Sequence, residues 1–127
     1  MIILDHNIPE DQAQQLRRWR IHCRQIGFEV GRPEWDDLQE ILRFLHAAKQ
    51  TSFFTRDLGF FRARLCHINY CLVVLTVPVL ETARYIRKVL RHADFNTRAK
   101  RSGKVIKVSI DRITSWDTKR RRRTARW

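Results

Sequence analysis

The chain contains no apolar run near the roughly 18 residues that would cross a bilayer, which argues against an integral membrane protein of the helical kind. No basic stretch precedes an apolar one near the start, so no secretory signal is expected. Cysteine is sparse and odd in number. Cys66 and Cys71 form a lone Cys-x4-Cys, Cys23 stands apart, and no second pair completes a zinc site. That usage suits buried, reduced thiols in a cytoplasmic protein rather than a disulfide framework. His22, His46, His67 and His92 show no His-x3-His or other ligand spacing and read as structural or solvated. There is no internal repeat. With 127 residues and 43% hydrophobic content, the chain fits one domain with a real core.

Positive charge is abundant and unevenly placed. The net charge is +13, and residues 98–127 hold 12 Lys/Arg against 2 Asp/Glu. Residues 1–97 hold 14 against 11 and are nearly balanced. The division expected is a domain over 1–115 and a basic tail over 116–127. Such a tail commonly meets nucleic acid. Lys119, Arg120, Arg121, Arg122, Arg123 and Arg126 put six cations within eight residues and form no pattern able to build a core.

Taken in order, Met1–Leu4 reads as a strand. Pro9-Glu10-Asp11 opens a helix, with acids facing the positive end of its dipole. Leu16, Trp19, Cys23 and Ile26 recur at helical spacing up to Gly27, and Phe28–Val30 reads as a second strand. Asp36 and Asp37 open a helix whose stripe is Leu38, Ile41, Leu42, Leu45 and Ala48. Phe53–Thr55 and Cys71–Leu75 are short apolar runs of the kind buried parallel strands show, with loose turns over 58–65 between them. Pro78 starts a third long helix with Leu80, Ala83, Ile86, Val89 and Leu90 inward, 97–103 reads as a basic loop, and 105–110 as an edge strand. Strands alternating with helices predict an α/β fold, a parallel sheet covered on both faces. Trp19, Phe44, Phe53 and Phe54 read as core. Trp35, Trp116 and Trp127 stand in polar surroundings, where aromatic rings either stack on bases or pack onto a partner.

Two of the apolar runs end in aspartate: Ile2-Ile3-Leu4 meets Asp5, and Phe53-Phe54-Thr55 meets Arg56-Asp57. Open α/β sheets place their chemistry beyond the carboxyl ends of the strands. Carboxylates gathered there with those of the Asp36, Asp37 and Glu40 helix start repel one another without a counter-charge. Oxygen-only ligands suit magnesium or manganese, and an ion so held activates water and neutralises a phosphodiester. The plainer alternative is turn chemistry at Asp5, Asn7 and Pro9 and helix capping at Asp36.

Leu4-Asp5-His6-Asn7-Ile8-Pro9 together with Thr55-Arg56-Asp57-Leu58-Gly59-Phe60 resembles the small PIN-like domains, relatives of the PIN nucleases of toxin–antitoxin systems. The resemblance covers residues 1–115 in order and length, and these two motifs carry it. It implies a three-layer, Rossmann-like sandwich with a mainly parallel sheet of four to five strands. It implies metal-dependent RNA cleavage, with Mg2+ or Mn2+ held by Asp5, Asp37 and Asp57. The helix acid is placed loosely: Asp37 lies 20 positions before Asp57 and Glu40 lies 17, with Asp36 a further alternative. Asn7 and Thr55 would orient the acids from behind. Partners implied are RNA, an antitoxin protein and a second copy as homodimer. His6 stands where the family commonly has glutamate, and Gly59 where it often has another aspartate. His6 reads as a hydrogen-bonded structural histidine. Two other classes of function fit the charge: an inactive nucleic-acid-binding module on the same fold, and a basic protein docking an acidic partner.

Overall fold

Short runs of aliphatic and aromatic residues build the centre of a sheet because they are too brief for helices and apolar on both faces. A computed structural model describes residues 1–31 and 38–127. The strands β1 (Ile2–Leu4), β2 (Arg24–Gln25), β3 (Thr51–Thr55), β4 (Tyr70–Leu75) and β5 (Val105–Val108) run parallel. β6 (Arg112–Trp116) and β7 (Arg122–Arg126) continue the sheet antiparallel, giving the order β2-β1-β3-β4-β5-β6-β7.

Alternate residues of each central strand feed opposite faces. Leu4, Phe54, Val73 and Ile106 pack with Ala13 and Leu16 of α1 (Glu10–Arg18) and with Ile86 and Val89 beyond them. Ile3, Phe53, Leu72, Val74 and Val105 pack with Ile41, Leu42 and Leu45 of α2 (Leu38–Ala48). Ile86 and Val89 belong to α3 (Thr82–Arg91), which lies beside α1. The fold is therefore α/β, with helices on both faces of a seven-stranded mixed sheet.

Several expectations need correction. The sheet has seven strands with an antiparallel edge, not four to five mainly parallel ones, and the strand expected at its edge, β5, lies inside it between β4 and β6. Residues 116–127 are no loose tail: Asp117 accepts the amides of Lys119 and Arg121 and the Arg121 guanidinium, which folds the chain into a hairpin from β6 to β7. Those bonds hold the Asp117 carboxyl below its usual range, the Arg121 amide first among them. The first helix stops at Arg18, not near Gly27. Trp19 and Arg20 donate their amides back to Gln15 and Arg17, and Arg20 takes a left-handed φ of 60°. The second strand is consequently Arg24–Gln25, and Phe28 is 76% exposed.

The expected basic loop over 97–103 also contains a helical turn, α4 (Arg98–Arg101), capped by the Thr97 hydroxyl on the Lys100 amide. Arg101 is buried and satisfied, donating to Ser52 Oγ and to the Phe95 carbonyl, each at 2.8 Å. Among the described residues no helix is long and apolar enough to cross a membrane.

All three thiols are pushed up by burial, Cys71 to about 12. A thiol that stays protonated and enclosed is a poor nucleophile. Iodoacetamide at pH 8 should therefore leave Cys71 unmodified in the native protein and alkylate it in denaturant, as peptide mass spectrometry would show. Native labelling at Cys71 would refute the enclosure.

Candidate active site

From β1 the chain passes to β2 on one side and then returns to β3 on the other. The carboxyl ends of β1 and β3 thus flank the point where strand order reverses, the position at which open α/β sheets bind ligands. Asp5 follows β1 directly, and Asp57 lies two residues beyond the last residue of β3. Their strands are in register, Leu4 opposite Phe54, and the Asp5 amide extends the ladder to the Phe54 carbonyl at 2.9 Å.

One hydroxyl ties these loops together. Thr55, fully buried, donates to Asp5 Oδ2 at 2.6 Å. Thr55 Oγ1 in turn accepts the Asn7 side-chain amide at 3.2 Å and the Asp57 backbone amide at 3.0 Å. Asn7 Oδ1 in turn accepts the Arg56 amide at 3.1 Å. Asp5 is only 2% exposed, and its other oxygen accepts the His6 amide at 2.8 Å, with His6 Nδ1 also 2.8 Å away. Asp57 differs. It is exposed, and its Oδ1 accepts the Gly59 amide at 2.8 Å, capping a 3-10 turn over Leu58–Phe60.

Of the two polar residues expected to orient the acids, Thr55 bonds the Asp5 carboxylate directly and Asn7 bonds Thr55 and the Arg56 amide. Three other supports were not legible in the sequence. Gln25, buried in β2, donates to the carbonyls of Asp5 and Ile8 and fixes the loop after β1. Gln12 accepts the Ala83 amide, joining α1 to the start of α3. Arg56 donates to the Val77 carbonyl and the Thr82 hydroxyl and anchors the loop after β3. A lone glutamine or arginine in a polar stretch carries no periodic signal, so only the fold reveals these contacts.

No family model, curated protein or solved structure matches this chain. The site therefore stands on its own geometry. Asp36 and Asp37 lie outside the described residues. Glu40 sits in the first turn of α2, half-buried. Among the described residues no three His, Cys, Asp or Glu side chains converge as a metal-binding group. The described part of the site thus offers two carboxylates, one enclosed and fully bonded, one open to solvent with Oδ2 uncommitted. Gly59 bears on the second: a Cβ there would come within 3.1 Å of Asp57 Oδ1. A side chain there would press on the oxygen that caps the turn, and the Asp57 carboxylate would have to give by a few tenths of an ångström.

The cations expected to bind nucleic acid fall on two elements. Lys119, Arg120 and Arg121 form the hairpin turn, and Arg122, Arg123 and Arg126 belong to β7. All six are exposed. Arg120 has a φ of 59°, which a tight turn requires.

Proposed function

We propose that this chain is a metal-dependent endoribonuclease, with Asp5, Asp37 and Asp57 as ligands for Mg2+ or Mn2+. The observation that carries it is the switch-point pair: two strand-end carboxylates whose loops share the Thr55 hydroxyl. Hard oxygen donors in an electropositive protein suit a divalent cation and a phosphodiester together. When bound, such a cation lowers the pKa of water and offsets charge on the phosphate. The protein's own part is positioning. Thr55 and His6 hold the Asp5 carboxylate in one orientation, and the exposed Asp57 keeps Oδ2 for a ligand from solvent. Arg56, bonded to Val77 and Thr82, keeps the β3 loop in place while RNA is bound. The motif resemblance suggests the toxin half of a toxin–antitoxin pair as the setting, with an antitoxin protein as partner.

A second reading is favoured by Gly59, which stands where the resembled family often has an acid: a nucleic-acid-binding module that kept the fold and lost cleavage. One assay separates the two. A single-stranded RNA incubated with Mn2+ or Mg2+, or with EDTA, should be cut only when the ion is present. Binding that persists in EDTA with no cut in either ion would leave the binding module standing. Retention of an acidic protein and of no polynucleotide would defeat both.

A further inference from the structure

Cross-strand partners share a face of a sheet. On β5, Val105 packs on the α2 side, and Lys107, two residues on, shares that face. Lys107 pairs with Thr114 and Thr114 with Thr124; Val105 pairs with Trp116 and Trp116 with Arg122. The α2 side of the antiparallel extension is thus polar, cationic and aromatic rather than apolar, so it is not built to be covered by a helix. Thr114, Lys107, Arg112, Arg122 and Thr124 line a cleft of about 350 Å³. Its remaining wall includes Leu58, the residue next to Asp57.

We infer that this open face of β5–β7 binds single-stranded nucleic acid and leads its phosphodiester chain to Asp57. The inference rests on the nuclease reading for its direction, not for its charge. Among the described residues no acid lines the cleft, and neither Lys107 nor Arg122 pairs with a carboxylate. Each of these two cations lies beside a ring: Lys107 Nζ is 5.0 Å from the centre of Phe61, and the Arg122 guanidinium 5.9 Å from that of Trp116. Alternating cations and rings are what a single strand needs, phosphates for the one and unstacked bases for the other. A duplex hides its bases and would gain nothing from Phe61 or Trp116. With strands about 4.8 Å apart, three of them make a platform about 10 Å wide, enough for a single strand but narrow for a helix.

Another basic groove, of about 400 Å³ along α3, is less suited. Two of its cations are more tightly engaged: Arg84 pairs with Glu81, and Arg87 stacks 3.6 Å over Trp19, much closer than Lys107 or Arg122 lies to its ring. That groove makes a charge-matched control. A second copy of the chain is a poor occupant of the extension, because the cations of β7 would face their own kind.

The test measures binding of a fluorescein-labelled oligouridylate to the full chain in EDTA, so that cleavage plays no part. Lys107→Gln/Arg122→Gln should weaken binding about tenfold near 0.15 M salt and flatten the log–log salt slope by about 1.4, the value for two phosphate contacts on a single strand. Arg84→Gln/Arg91→Gln removes the same charge and should cost less than about twofold. Arg122→Gln alone, at an exposed position, should flatten the slope by about 0.7 and guards against a folding defect in the pair. Equal losses in both pairs would overturn the inference, since affinity would then be spread over the whole basic surface. So would equal affinity for a duplex of the same length. Loss of polyglutamate binding with oligouridylate unaffected would assign the face to an acidic protein instead. If Mn2+ yields no cleavage while binding still depends on Lys107 and Arg122, the nuclease reading falls and this one stands.

Discussion

On the nuclease reading, Asp57→Asn is expected to abolish RNA cleavage, by at least about 100-fold, while leaving the unfolding temperature of the metal-free protein within a degree or two. Loss of a group merely supporting a metal ligand already costs about 10- to 100-fold, so loss of a ligand should cost no less. Stability should hold because Asp57 is exposed and, among the described residues, its one side-chain bond, to the Gly59 amide, can be accepted equally by an asparagine carbonyl. Asp5→Asn should lose activity to the same degree but also lose about 1–3 kcal/mol of stability. Both Asp5 oxygens face donors, the Thr55 hydroxyl and the His6 amide. An amide NH2 in either place sets donor against donor in a buried site. Nor can the Thr55 oxygen take the extra proton, since it already accepts from Asn7 and Asp57. Thermal unfolding with and without Mn2+ checks the contrast: the ion should raise the wild-type temperature and not that of Asp57→Asn. A large destabilisation by Asp57→Asn without metal would instead mark that residue as structural.

The parts of this fold that were readable in sequence are those where burial imposes composition. Phe53–Thr55 and Cys71–Leu75 are apolar on consecutive residues because helices cover both sides of β3 and β4, and α2 carries a clean stripe because one face is buried. The acids at strand ends were legible for a related reason: an abrupt change from Leu4 to Asp5 marks the sheet edge. What could not be read lacked such pressure. β2 is two residues long with a buried glutamine at its end, and its role is to hold a loop rather than to fill a core. Trp19, Cys23 and Ile26 do pack against the rest, but from a turn and from the chain on either side of β2, so helical spacing misled beyond Arg18. β7 is an edge strand whose residues are mostly cations on both faces, and no periodicity survives in Arg-Arg-Thr-Ala-Arg. Backbone pairing with β6 and a turn organised by Asp117 form it, and neither leaves a hydrophobic pattern.

Deleting residues 118–127 should therefore lower the unfolding temperature by about 10 °C, an effect no unstructured tail would produce. The deletion strips β6 of five cross-strand pairs, Arg112–Arg126 through Trp116–Arg122. It also removes Trp127, whose indole N–H donates to the Ser109 carbonyl at 2.8 Å and whose ring meets Tyr85 and His92, each at 5.8 Å. A half-buried tryptophan, a small residue such as Ala125 against the core and a strand's pairing together contribute roughly 3 kcal/mol. For a domain of this size each kcal/mol shifts the midpoint by about 3–4 °C. Trp127→Ala alone should give about half the shift. RNA affinity of the truncated chain would then fall for two reasons at once, lost cations and a loosened β6, and could not be assigned to charge. Substituting Lys119, Arg120, Arg121 and Arg123 by glutamine separates them. The unfolding temperature should change little, because only Arg121 has an ion pair, on an exposed turn where such pairs contribute about 0–1 kcal/mol. The salt slope should flatten by about 0.7 for each residue that touches a phosphate, and equally for unrelated RNA sequences. An unchanged melting temperature after the deletion would show that β7 is not held to the sheet, and the open cationic face would lose its outer wall with it.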